Sequence, residues 1–85
     1  LDIDATTERQ KNVTLLLALA ERGLKQVQLA RMTGRRPETI NRAINGSNPS
    51  SSTRALIAEV LSRTPVIDTG AVVEITVADL FGGAS

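Results

Sequence analysis

Three glycines, Gly23, Gly34 and the one in Asn45-Gly46, close successive apolar segments in the first half of this chain. Glycine enters the left-handed conformation that ends a helix at little cost, so each is read as a stop. The chain between them must fold as short helices. The first is expected from about Thr7 to Arg22, with Thr6 or Thr7 as cap, Glu8 in its opening turn, and Val13, Leu16, Leu17 and Ala20 recurring at helical spacing. The second takes Gln26 to Thr33 and carries Leu29, Ala30 and Met32. Pro37, whose φ already suits a first helical position, opens a third that runs to about Ile44 and turns Ile40, Ala43 and Ile44 inward.

Past the serines around Pro49, Ser51 or Ser52 is expected to cap a fourth helix to about Ser62, with Leu56, Ile57, Val60 and Leu61 as its apolar face. After Pro65 the pattern turns extended. Val66, Ile67, Ala71, Val72, Val73, Ile75 and Val77 are largely β-branched, and Asp68-Thr69-Gly70 supplies a turn between the two runs, which predicts a small hairpin over residues 65–77. Thr76 then caps a last helical turn through Val77, Leu80 and Phe81, stopped by Gly82-Gly83. At 85 residues there is room for one core, so residues 1–85 are expected to form a single, mainly α domain of four to five helices with a small C-terminal β-hairpin.

The chain has no Cys and no His. That removes disulfides, thiolate zinc sites, the Ser-His-Asp triad, HExxH metalloproteases and Cys/His zinc fingers, so no catalytic residues, metal or cofactor are expected. The longest apolar run, Leu15 to Ala20, is six residues, far short of a bilayer span, and no secretory cleavage pattern follows it. A cytoplasmic protein is expected. The chain opens on Leu1 rather than Met, as a trimmed chain or a piece of a longer one would.

The formal charge of +1 hides a strong partition. Residues 1–21 carry two cations against four acids, residues 22–54 carry seven cations against Glu38 alone, and residues 55–85 carry Arg63 against four acids. Six of the seven central cations are Arg. A basic block between acidic flanks is the electrostatic footprint of a surface that meets phosphates, although a solvated basic face with no ligand would look the same.

Two short helices about a glycine-bearing turn make a helix-turn-helix unit, here residues 24–46. Gln26, Leu29-Ala30, Thr33-Gly34, Thr39-Ile40 and Asn45-Gly46 resemble, at matching spacing, the lambda-repressor and Cro-like family of the XRE type. The resemblance covers roughly residues 10–61, and Thr76 to Gly82 is similar to the family's closing helix. It implies a sequence-specific transcriptional regulator, a repressor of phage or bacterial type, that grips double-stranded DNA as a homodimer on a palindromic operator and reads the major groove with its third helix, about residues 37–45. Gln26 and Asn45 would hold phosphates, and Arg36, Pro37, Glu38 and Arg42 would supply the base readers. Arg42 suits guanine O6/N7, while Glu38 suits cytosine N4 or an ion pair with Arg42 four residues on. Thr39 would face the backbone or pack inward.

The sequence departs from the family in three places. Arg35 stands where an aliphatic residue usually plugs the turn, which implies a looser turn or an added phosphate contact. Pro37 replaces a polar reader, leaving an apolar contact for a thymine methyl. Residues 64–75 are an insertion before the last helix, and the hairpin expected there is a candidate dimerisation surface, or else a cover for the domain's own core. Two other functions compete: a protein-binding antitoxin or partner module on the same fold, and, remotely, an aspartic protease, because Asp68-Thr69-Gly70 resembles the DTG turn of the dimeric retroviral type.

Overall fold

The computed structural model describes residues 11–82, which form five helices: α1 Val13–Glu21, α2 Gln26–Thr33, α3 Pro37–Ile44, α4 Ser51–Arg63 and α5 Val77–Phe81. Their inner faces meet in one core, where Leu15, Leu29, Ile40, Ile57 and Leu61 are fully buried and Ala30 and Ala43 let the helices approach closely. Burial of a side chain of this size contributes about 1.5 to 3 kcal/mol, so these five fix the relative placement of α1 to α4. Leu80 closes the core from α5.

Helix α1 starts later than the sequence suggests. Asn12 is its cap, accepting from the Leu15 amide at 3.0 Å, while its own Nδ2 reaches the Leu80 carbonyl at 2.8 Å and its main-chain N–H reaches the Ile44 carbonyl at 2.7 Å. One residue thus ties α1 to the ends of α3 and α5. The expected caps Thr6 and Thr7, with Glu8, lie outside the described residues. The buried face of α1 is Leu15, Ala18, Leu19 and Arg22, not the expected Val13, Leu16, Leu17 and Ala20, which are exposed. Nearly every residue of this helix is apolar, so spacing alone could not choose between two opposite stripes.

The cap of α4 is Ser50, one residue before the serines expected, and the helix ends at Arg63. Thr76 and Asp79 cap α5 reciprocally, each side chain accepting from the other's main-chain N–H at 3.1 and 3.0 Å.

The hairpin expected over residues 65–77 is not formed; its residues make a turn over 67–69 and an irregular run without a strand, and Val77 opens α5. The Val66 amide crosses the turn to the Ala71 carbonyl at 2.9 Å, and residues of the helices and their ends satisfy much of the rest. The Ile67 amide donates to the Glu21 carbonyl at 2.9 Å, Arg22 donates to the Val73 carbonyl at 3.3 Å, and the Ser62 hydroxyl both receives from the Ile75 amide and donates to its carbonyl. The Asp68-Thr69-Gly70 turn is closed locally, by Gly70 to Val66 and by Ala71 to the Thr69 hydroxyl.

Candidate nucleic-acid interface

The basic block does not form one face. Arg22 is 5% exposed and serves the core, while Arg35 and Arg54 are half-buried. Lys25, Arg31, Arg36 and Arg42 are exposed, and they belong to α2, α3 and the residues that introduce each.

The turn between the two helices is firmly held. Thr33 sends its hydroxyl back to the Leu29 carbonyl at 2.8 Å, Gly34 takes a φ of 72°, and the Arg35 amide returns to the Ala30 carbonyl at 3.0 Å. Arg35 stands in for the usual aliphatic plug by bonding: its Nε donates to the buried Thr53 hydroxyl at 3.0 Å, and Thr53 also accepts from Ser50 at 3.0 Å. The turn is therefore locked to the start of α4 rather than loosened, and the terminal nitrogens of Arg35 make no hydrogen bond among the described residues. Within this region Arg54 Nε is buried without a hydrogen-bond partner.

Arg36 precedes Pro37 in extended backbone, as a residue before proline must, and Pro37 occupies the first position of α3. The helix then divides cleanly. Ile40, Ala43 and Ile44 are buried, whereas Pro37, Glu38, Asn41 and Arg42 are exposed and Thr39 is half-buried. Four of these five outer residues join Gln26, the first residue of α2, in lining an open groove: Pro37, Glu38, Asn41 and Arg42. Glu38 and Arg42 form no ion pair; among the described residues the i,i+4 pair is Glu59 with Arg63, at 2.7 Å on α4.

The structure therefore brings Gln26, Pro37, Glu38 and Arg42 together, sets Arg36 beside them in the chain, and puts Asn45 at the C-terminal end of α3. It separates Arg35, whose Nε is engaged behind the turn. Sequence reasoning missed Asn41, which donates to Gln26 Oε1 at 3.1 Å and accepts from Asn45 at 3.0 Å. Its place one turn before Asn45, on the same polar stripe as Glu38 and Arg42, was the available signal. Among the described residues no acidic cluster could hold a metal ion, and no helix is long and apolar enough to cross a membrane.

A family model described as helix-turn-helix matches residues 15–67, running from within α1 through α4 and ending before α5. No curated protein and no solved structure matches the chain.

Proposed function

This chain belongs to the lambda-repressor-like helix-turn-helix family of DNA-binding regulators, and on that premise we propose that it is a sequence-specific transcriptional regulator reading the major groove of double-stranded DNA with α3. The carrying observation is the division of α3, whose inner face is spent on the core while Pro37, Glu38, Asn41 and Arg42 form an exposed stripe on the same groove as Gln26. A helix so anchored presents its outer side chains at fixed spacing, which is what major-groove readout requires.

In this reading Arg42 forks onto guanine O6/N7, Arg36 reaches a neighbouring base or phosphate, and Glu38, with no ion pair to Arg42, accepts from cytosine N4. Pro37 offers an apolar contact to a thymine methyl. Thr39 faces the backbone from the edge of the helix, Gln26 holds a phosphate from the start of α2, Asn45 supports the end of α3, and the terminal nitrogens of Arg35 remain available to a phosphate. The regulator is a cytoplasmic repressor of phage or bacterial type that takes a palindromic operator as a homodimer, with no cofactor and no enzymatic step.

Selection of bound sequences from a random duplex pool, followed by salt titration, tests this reading. An enriched motif with a log-log salt slope of about −0.9 per phosphate neutralised is expected. No enrichment, or an affinity indifferent to salt, would turn the assignment to a protein-binding antitoxin or partner module.

A further inference from the structure

Three side-chain amides make a chain along the face of α3. Asn45 Nδ2 donates to Asn41 Oδ1 at 3.0 Å and to the Asn41 main-chain carbonyl at 2.9 Å, and Asn41 Nδ2 donates in turn to Gln26 Oε1 at 3.1 Å. A carboxamide has one acceptor end and one donor end, so each link decides which way round the next amide stands.

We infer that Asn41 is a positioning residue that turns Gln26 donor-end outward for a phosphate, an inference that rests on the reading of α3 as the recognition helix. A phosphate oxygen only accepts, so Gln26 serves it through Nε2 and repels it through Oε1. With Oε1 held by Asn41, the two N–H groups of Nε2 are the end left for DNA. An unrestrained Gln would populate both orientations and would lose rotamer freedom on binding; the link removes the wrong orientation and part of that entropic cost beforehand.

The same bonds argue against Asn41 as a direct reader. Bidentate recognition of adenine by Asn needs both the oxygen and the nitrogen of one amide. In Asn41 one lone pair of the oxygen is taken by Asn45 and one N–H of the nitrogen by Gln26, so the amide is held in the chain at both ends and could turn to a base edge only by giving up these bonds or by using the one lone pair and one N–H left where it stands. Its effect on DNA therefore passes through Gln26 and carries no base preference of its own.

A double-mutant cycle on the whole chain tests this, with affinities measured on the selected site and on a panel of single-base-pair changes. Gln26→Ala and Asn41→Ala are each expected to weaken binding about fivefold, uniformly across the panel. The double variant should bind no more weakly than Gln26→Ala alone, because Asn41 has nothing left to position. Additive losses, a loss confined to one base pair, or an unchanged affinity for Asn41→Ala would each overturn the inference. Asn41 is exposed and Ala is the better helix former, so the fold should survive; a melting curve checks it, with Asn41→Ser as the second variant. Wild type without salt-dependent duplex binding would remove the DNA reading itself, and the inference with it. Wild type that binds while the cycle is additive would remove only the role given to Asn41.

Discussion

Arg22, at the end of α1, donates from Nε to the Leu61 carbonyl of α4 at 2.8 Å, with both groups buried. The rest of its guanidinium continues the work, reaching the Ala18 carbonyl at 3.0 Å and the Val73 carbonyl at 3.3 Å. The cation that opens the basic block is thus an internal brace that joins two helices to residues 64–75. Its side chain is 2% exposed while its ion-pair partner Glu21 is 58% exposed, so the three carbonyls matter more than the pair. Arg22→Met keeps the aliphatic stem but removes all three bonds, leaving the Leu61 carbonyl only the Thr64 amide at 3.3 Å, and a loss of about 2 to 4 kcal/mol in urea unfolding is expected. Duplex affinity, corrected for the folded fraction, should stay at the wild-type value. A large affinity loss in the folded variant would return Arg22 to the DNA surface.

Gly23 follows Arg22 with a φ of 66°, and a Cβ there would fall on the tip of the Ile67 side chain. Gly34 has a φ of 72° and nothing within 4 Å of the same atom. The backbone cost of Ala, about 1 to 2 kcal/mol, applies to both. Ile67 is 67% exposed and can rotate away, so Gly23→Ala is expected to cost little more than Gly34→Ala in thermal unfolding. A much larger cost at Gly23, relieved in Gly23→Ala/Ile67→Ala, would mean that Ile67 is pinned against the end of α1.

The sequence makes α2 and α3 legible to the residue because each has its own signals: a glycine stop, a proline start and a polar stripe facing an apolar one. Helix α1 is legible as a helix but not in its orientation, since its apolar residues surround the axis and its rotation is held by bonds to residues far along the chain, from Asn12 to Ile44 and Leu80 and from Arg22 to Leu61 and Val73. The hairpin expectation failed for a related reason. β-Branched residues announce extended backbone, which Thr76 adopts at the end of the run, but not what will satisfy it; here Arg22 and Ser62 do so for Val73 and Ile75. Of the candidate site, the residue types were readable and the amide chain through Asn41 was not, because it depends on the distance between two helices.

Arg42 lies exposed on the last turn of α3 with no ion pair to Glu38. If its fork meets one guanine, Arg42→Ala should cost about 1 to 3 kcal/mol on the selected site and relax the preference at one base pair. Binding of the variant to the full single-substitution panel checks this. Uniform weakening on every duplex, with the salt slope reduced by about one, would make Arg42 a phosphate contact instead.

Dimerisation through residues 65–77 is expected on different grounds now that these residues form no strand. Edge pairing between two hairpins is gone, but the apolar side chains remain outside: Ile67 is 67% exposed, Val72 60% and Val73 50%. The bonds from Ile67 to Glu21 and from Arg22 to Val73 hold this segment beside the end of α1, whose outer face carries Val13 at 60% and Leu17 at 56% exposure. Scattered exposed apolar residues need no explanation, but a helix apolar on all sides usually has a partner on each. A two-fold mate would cover this surface and present two recognition helices to half-sites about one turn of DNA apart. Sedimentation is expected to show concentration-dependent association of the wild type, reduced by Val73→Asp and by Leu17→Asp, both of which replace an exposed side chain and should leave the fold intact. A wild type that stays monomeric at high concentration and on operator DNA ends the dimer proposal. Association lost in Leu17→Asp but kept in Val73→Asp would move the contact onto α1 and away from residues 65–77.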